Sequence, residues 1–391
     1  MRVAHVITRM IIGGAQENTL YNCLDLIRDY GDDVLLITGP SLGPEGNLLE
    51  QAHAQGLPVK ELPHLVRNIH PLTDWKGYQE IKAALREFQP DVVHTHSAKG
   101  GMLGRRGAMA LGVLAIIHTV HGAPFHPYQS SLARKFFIAC ERYAARQCHK
   151  LVSVADAMTD LLVEAKVAPR EKFVTVYSGM EVEPFLESDS LREAARAELG
   201  IGAEDVVIGK IARLFHLKGH EYVIAAAKEV VAQCPQAKFL FVGDGILREK
   251  YESDIRAAGL QDHFILVGLV PPKEIPKYIS AMDVLVHTSL REGLARALPQ
   301  ALLSGKPAVS FDIDGAREVV STGETGFLIP PGDVPQLALA LIQLCQDRGL
   351  RERLGEEGRA RCRQVFPHQV MTRILREIYQ DVLRSNGRDI A

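Results

Sequence analysis

No run of apolar residues in this sequence approaches the roughly 20 needed to cross a bilayer as a helix, which argues against a membrane-spanning segment. The start, MRVAHVITRM, leads straight into a strand pattern and has neither the apolar core nor the cleavage site of a secretory signal. Six cysteines (Cys23, Cys140, Cys148, Cys234, Cys345 and Cys362) are scattered without a CxxC pair or any metal-ligand spacing. Reduced thiols in a cytoplasmic protein account for them best. A net charge of −2 offers no bulk attraction to nucleic acid or to a membrane. No GxGxxG follows the first strand pattern and no acidic residue closes the second, so a nicotinamide-binding domain is disfavoured.

What is present is a regular alternation over 391 residues, more than one core usually carries, so two domains are expected. Strand patterns fall at residues 3–8, 34–39, 59–62, 91–97, 115–120, 151–154 and 173–177, separated by helix-length segments. A second set follows at 206–214, 238–243, 264–268, 283–289 and 306–312. Continuous apolar runs between helices indicate parallel strands buried on both faces. The expected fold is therefore α/β, two facing doubly wound Rossmann-like domains with the site in the cleft between them, beyond the carboxyl ends of the strands. The domains are placed at 1–180 and 181–367. The change-over lies near 178–187, followed by a charged stretch, 188–200, read as a surface helix. Pro367 interrupts a helical region. After it Val370, Met371, Ile374, Leu375, Ile378, Tyr379, Val382 and Leu383 recur at helical spacing, so 368–391 forms an amphipathic helix expected to pack back on the first domain.

The candidate chemistry sits at strand ends. The strand 283–289 runs into a polar turn and then, two or three residues on, into an apolar-faced helix; such a terminus suits a phosphate, and Glu292 at the turn can accept hydrogen bonds from hydroxyls. Arg213 and Lys218, in IGKIARLFHLKGH, guard the end of the second half's first strand, with Gly219 opening a helix; Arg213 suits bidentate phosphate recognition and Lys218 a point charge. Gly13-Gly14 ends the first strand's loop and lets backbone approach a ligand, or simply makes a tight turn. His94 and His96 share a strand face, and His118 and His121 raise the same thought of a metal site, but no carboxylate or cysteine accompanies them. His94 and His118 read as core residues; His121, at its strand's carboxyl end, reads as functional. Asp312-Ile313-Asp314, placed after the last core strand, reads as a turn and not a metal motif. No metal is expected. Basic residues (Lys99, Arg105, Arg106, Arg134, Lys135, Arg142, Arg146, Lys150) interleave with Phe136, Phe137 and Ile138, a surface able to rest on anionic lipid or, equally, a solvated outer face.

Together Gly13-Gly14, His121-Gly122, Arg213 with Lys218-Gly219, Gly243-Asp244-Gly245 and the block SLREGLARALPQALLSGKP resemble the retaining glycosyltransferases of family 4, which have the GT-B fold. The segment HTVHGAPFH is similar to members that build bacterial exopolysaccharide and capsule. The resemblance spans nearly the whole chain and implies a nucleotide-sugar donor, a UDP-sugar foremost. It implies that Gly14 lets backbone meet the diphosphate or the acceptor side, and that Arg213 and Lys218 hold the diphosphate and neutralise the leaving group. Glu292 would contact hydroxyls of the donor sugar, the amides of Ala295 and Arg296 would meet its phosphates, and Gly293 and Leu294 would also bind the donor; His121 would lie near the reacting sugar, and the base near Gly268 and Val270. The pattern departs at Gln300, where the family has a second glutamate gripping the ribose. An amide keeps one hydrogen bond but loses charge-assisted strength, about a factor of two.

With no carboxylate placed as a nucleophile, a metal-independent front-face substitution is expected, the leaving oxygen serving as base, with domain closure excluding water. The acceptor is expected to be a soluble or polyprenyl-linked glycan in cell-surface polysaccharide synthesis, met by loops that include 122–130, with the protein cytoplasmic and in peripheral contact with the inner membrane surface. No cofactor and no nucleic-acid partner is expected. Two other readings compete: a nucleotide-sugar epimerase on the same fold, which needs an acid/base pair that the sequence does not display, and a non-catalytic nucleotide-sugar-binding protein, motivated by Gln300.

Overall fold

The computed structural model describes residues 1–41, 46–126 and 129–388. The chain divides into two compact units: Met1–Met180 with Phe366–Ala391, and Glu181–Val365.

The first unit is built on seven strands: β1 (Arg2–Ile7), β2 (Asp33–Thr38), β3 (Val59–Glu61), β4 (Val92–His96), β5 (Ala115–Val120), β6 (Lys150–Ser153) and β7 (Phe173–Thr175). Their order is β3-β2-β1-β4-β5-β6-β7, every pairing parallel. The winding reverses between β1 and β4, where a doubly wound sheet opens a crevice beyond its carboxyl edge. Helices cover both faces, which is why the strand runs are apolar without alternation.

The last helix, His368–Ser385, belongs to this first unit and explains a polar seam inside it. It lies along the helix Gly14–Tyr30 and beneath β4 and β5. His368 Nδ1 and Thr372 Oγ1 meet buried Asp25 at 2.7 and 2.9 Å, and Asn22 donates to Thr372 at 3.2 Å. Tyr379 donates to Asn22 Oδ1 at 3.1 Å and also meets His94 Nδ1. The apolar positions Met371, Leu375, Ile378, Val382 and Leu383 are buried beside these bonds, so the helix is fixed in rotation and register as well as covered.

The second unit holds β8 (Val206–Ile211), β9 (Ala237–Val242), β10 (Phe264–Gly268), β11 (Val284–His287), β12 (Ala308–Phe311) and β13 (Gly326–Ile329), in the order β10-β9-β8-β11-β12-β13 and all parallel. Its winding reverses between β8 and β11. Twelve of the strand patterns in the sequence are strands here; β13 is the addition, a four-residue edge strand paired to β12. The DID tripeptide therefore precedes the last strand and does not follow it. The stretch 188–200 is also less superficial than its charge suggests. It forms a short 3-10 turn and the helix Arg192–Glu198, where Arg196 is buried and donates to the carbonyls of Gly202 and Asp205 and to Asp283. No helix among the described residues is long and apolar enough to cross a membrane.

Candidate active site

In the second unit the predicted residues lie along one carboxyl edge of the sheet, on either side of the β8/β11 reversal. After β8 the chain turns through Arg213–Gly219 and enters the helix His220–Gln233. Gly219 has φ +70°, and a Cβ there would lie 1.9 Å from the carbonyl oxygen of Thr288, so only glycine lets this loop touch the end of β11. Thr288 Oγ1 donates to the Gly219 carbonyl at 2.6 Å, and the Leu290 amide donates to Leu217 O at 2.8 Å. The two loops are thereby stitched together, and the stitching brings Lys218 Nζ to Glu292 Oε1 at 2.6 Å. Both side chains remain about one-fifth exposed, at 22% and 21%.

Glu292 is held from two further sides. Its backbone amide donates to Asp314 Oδ2 at 2.6 Å, and His287 Nε2 lies 3.6 Å from its carboxylate. Burial pushes the Glu292 carboxyl up, but Lys218 and His287 outweigh it and keep the group below the usual carboxylate range. Beneath the pair Lys210 is wholly buried and donates to Thr288 Oγ1 at 2.9 Å. Burial, with Lys218 nearby, brings its pKa down to about 7. Sequence reasoning missed Lys210, His287 and Asp314. The signals were a lysine and a histidine interrupting apolar strands, and the DID turn at the end of the strand next to β11. Asp314 serves this turn as a hydrogen-bond acceptor, while Asp312 pairs with Arg317 at 2.9 Å.

Arg213 follows β8 on the loop that carries Lys218. Its guanidinium is exposed and rests on the Phe215 ring 5.0 Å away. Gly268 ends β10, two strands from β8, and Val270 lies just beyond it; the Gly243 amide donates to the Gly268 carbonyl at 2.9 Å, which ties that edge to the Gly243-Asp244-Gly245 turn. Gly293, Leu294, Ala295 and Arg296 form an irregular turn. The helix expected two or three residues after Glu292 begins only at Ala297 and runs to Leu303, so it is short and its terminal dipole is correspondingly small. Gln300 lies on that helix and is partly exposed.

In the first unit Gly14 opens the helix Gly14–Tyr30, with Gly13 as its cap and no side-chain capping bond. The reversal between β1 and β4 is marked by histidines. The register places His5 of β1 against His94 of β4, and His96 against Thr119 of β5. His5 Nδ1 lies 3.0 Å from His96 Nε2, and His96 Nδ1 lies 3.1 Å from His121 Nε2. His94 is bonded at both nitrogens, to Tyr379 and, at 2.7 Å, to Thr119. His118 points to the other face and meets Thr95 Oγ1 at 2.9 Å. Burial drives these rings below ordinary histidine values, His5 to about 3 and His121 to about 4, so all are neutral near pH 7.

The basic stretch divides on inspection. Arg105 is buried with Glu141, Lys99 pairs with Asp74 at 2.6 Å, and Arg142 and Lys150 donate to backbone carbonyls. Arg134 and Lys135 remain exposed on the helix Ser131–Ala145, beside the exposed apolar side chains of Leu132 and Phe136. Within the expected acceptor loop 122–130, Pro127 and Tyr128 lie outside the described residues.

Comparison with known proteins bears on this geometry. The family model described as glycosyl transferases group 1 matches residues 192–361, and that described as a glycosyl transferase 4-like domain matches residues 14–179. The chain is 28% identical over 356 residues to the UDP-Gal:alpha-D-GlcNAc-diphosphoundecaprenol alpha-1,3-galactosyltransferase of Escherichia coli, covering 90% of this chain and 89% of that one. It is 23% identical over 371 residues to the capsular polysaccharide biosynthesis glycosyltransferase CapM of Staphylococcus aureus, covering 93% of each. Among solved structures, Anabaena HepE in complex with UDP superposes with a TM-score of 0.83 at 21% identity, covering 97% of this chain and all of that one.

Proposed function

The chain belongs to the group 1 glycosyltransferases with a family 4-like first domain and the GT-B fold, and from that premise we propose that it moves a hexose from a UDP-sugar to a hydroxyl of a polyprenyl-linked glycan in cell-surface polysaccharide synthesis. The observation that carries the donor half is the Lys218–Glu292 contact across the β8/β11 reversal, a cation for the diphosphate beside a carboxylate for sugar hydroxyls. Support for the acceptor half comes from relatives whose names specify a diphosphoundecaprenol acceptor and capsule synthesis.

The reaction we assign is a front-face substitution with retention and without a metal. The C1–O bond to the β-phosphate breaks with its electron pair on the phosphate oxygen. The acceptor oxygen bonds to C1 on the same face, and its proton passes to the departing oxygen. Arg213 and Lys218 stabilise the charge on that oxygen, Glu292 orients the sugar through its hydroxyls, and His121 stabilises the sugar in the transition state. Gly14 lets backbone approach the diphosphate or the acceptor, Gly268 and Val270 receive the base, Gly293, Leu294, Ala295 and Arg296 surround the phosphates, and Gln300 takes a ribose hydroxyl. The exposed Leu132, Phe136, Arg134 and Lys135 form a face suited to rest on an anionic bilayer that holds the acceptor.

The test is nucleotide release from UDP-, GDP- and ADP-sugars, wild type beside Glu292→Ala, with thermal-shift binding to the same panel. Release or binding confined to UDP-sugars and lost in the variant is the expected result. Indifference to every nucleotide sugar, or an unchanged Glu292→Ala protein, would sink the assignment.

A further inference from the structure

We propose that His5, His96 and His121 form one hydrogen-bonded line whose polarity places the proton of His121 on Nδ1, which makes His5 and His96 positioning residues for that ring. The inference rests on the assignment of His121 to the reacting sugar and goes on to say how the ring is prepared.

The line runs through three neighbouring strands. His5 and His96 are fully buried, whereas His121, just past the end of β5, is only partly so. The contacts join Nδ1 of one ring to Nε2 of the next, at 3.0 and 3.1 Å. A neutral imidazole has one N–H and one lone pair, so such a line has only two self-consistent states. If His121 donates from Nε2, each ring hands its proton inward and the line ends in an N–H at His5 Nε2. If His5 donates from Nδ1, each ring hands its proton outward and the line ends in an N–H at His121 Nδ1.

The inner end decides between them. His5 Nε2 is buried and has no partner among the described residues. An orphaned buried N–H is the rarer and costlier defect, and an unsatisfied acceptor the more tolerated one. The outward state leaves a bare lone pair at His5 and delivers the N–H to the ring that reaches the surface, where a substrate oxygen can accept it. His121 is thereby committed to donate from Nδ1, although free imidazole side chains in water favour the proton on Nε2. No reorientation is then needed when charge develops on the substrate.

A shared cation is the competing use of these rings, since one nitrogen from each of His5, His94 and His96 falls within 4.8 Å of the others. His94 and His96, however, are each bonded at both nitrogens, so an ion would have to displace at least two hydrogen bonds to reach its ligands.

The experiment is two-bond 1H–15N correlation on the full chain with ring-15N histidine, the His121 signals assigned by their loss in His121→Asn. The expected result is a protonated Nδ1 and a bare Nε2 on His121. In His96→Asn, whose amide places a donor where His96 Nδ1 was, that pattern should persist; in His96→Leu it should revert to a proton on Nε2. A proton on Nε2 in the wild type, the same pattern in both His96 variants, or one equivalent of a first-row metal by elemental analysis overturns the proposal. The wild-type spectrum decides even where a His96 variant fails to fold. For donor turnover, His96→Leu should lower kcat about tenfold, the worth of one oriented hydrogen bond, with KM unchanged and His96→Asn near wild type. Equal kcat in all three removes the positioning role. Unchanged turnover in His121→Asn would instead refute the catalytic reading of His121 and leave the wild-type tautomer standing.

Discussion

Replacing Glu292 by Gln separates the two halves of the proposed donor site. The change keeps the side-chain shape and removes the charge 2.6 Å from Lys218 Nζ. With side chains 22% and 21% exposed, the pair lies between a surface ion pair, worth up to about 1 kcal/mol, and a buried one that costs about 3–5 kcal/mol to break. In the free protein Lys218 is engaged by Glu292, so a diphosphate must compete for it. The amide frees Lys218 and removes a repulsion between carboxylate and phosphate. UDP alone should then bind about fivefold tighter, a gain of about 1 kcal/mol.

A UDP-sugar receives the same gain but loses hydrogen bonds from its hydroxyls to a charged acceptor, worth about 1.5–3 kcal/mol. The ratio of the two dissociation constants should therefore shift against the UDP-sugar by about 10–100-fold. Lys218→Met should instead weaken both ligands together. Titration calorimetry of wild type, Glu292→Gln and Lys218→Met with UDP and with UDP-glucose or UDP-galactose reads all of these quantities. If Glu292→Gln weakens UDP and the UDP-sugar equally, Glu292 acts only by holding its loop, and the division of labour argued for the pair is wrong.

Three further outcomes follow from single positions. Gly219→Ala places a Cβ 1.9 Å from a backbone oxygen at φ +70°, so thermal unfolding of the second unit should show a loss of about 2 kcal/mol or more with UDP binding abolished; near-wild-type behaviour would mean the β8 and β11 loops are not joined there. His5 is held near pKa 3 in the fold against about 6.5 unfolded, so between those values the unfolded chain binds the extra proton and stability falls as pH falls. From pH 7.5 to 5.0 that removes about 2 kcal/mol; in denaturant titrations His5→Phe should lose less over the same interval, and an identical pH dependence would contradict the buried neutral ring. Gln300→Glu should raise UDP affinity several-fold if residue 300 meets the ribose, and an unchanged dissociation constant places the ribose elsewhere.

The fold was largely legible because its signal is local. VVIGKI and AKFLFV are apolar apart from one lysine each, and near-continuous apolar runs are how strands covered on both faces are written. The strand β13 escaped because GFLI is four residues long and opens on a glycine, too little for any periodicity; only its pairing with β12 makes it a strand. The helix start at Ala297 escaped for a related reason. GLAR has helix-forming residues, and the turn that overrides them is set by loop contacts around Glu292, among them the bond to Asp314 22 residues away. The site was legible as residue types at strand ends and illegible as contacts. Lys218 and Glu292 are 74 residues apart, and His5 and His96 are 91 apart. Those distances close only once strand order and register are known, and a one-residue slip of β4 would turn His94 and His96 to the opposite face.

The two units share a winding order and differ in what they place at the reversal. In the second unit the crevice edge carries Lys218, Glu292 and exposed Arg213, with Lys210 beneath, charges whose sum favours an anion. In the first, the same position carries His5, His96 and His121, all neutral near pH 7, with Thr8 and Ser97 bonded to each other at 2.6 Å where β1 and β4 end. Coulomb attraction to a diphosphate is expected beside the charged set and not beside the neutral one, so in the proposed reading the side chains, and not topology alone, assign the phosphates to the second unit. A neutral, hydroxyl- and imidazole-lined edge is instead suited to sugar hydroxyls, which need fixed donors and acceptors and gain nothing from a net charge. If the charge asymmetry is what assigns the ligands, Lys218→Glu should abolish UDP binding without any change at His121, whereas His96→Leu should leave UDP affinity untouched.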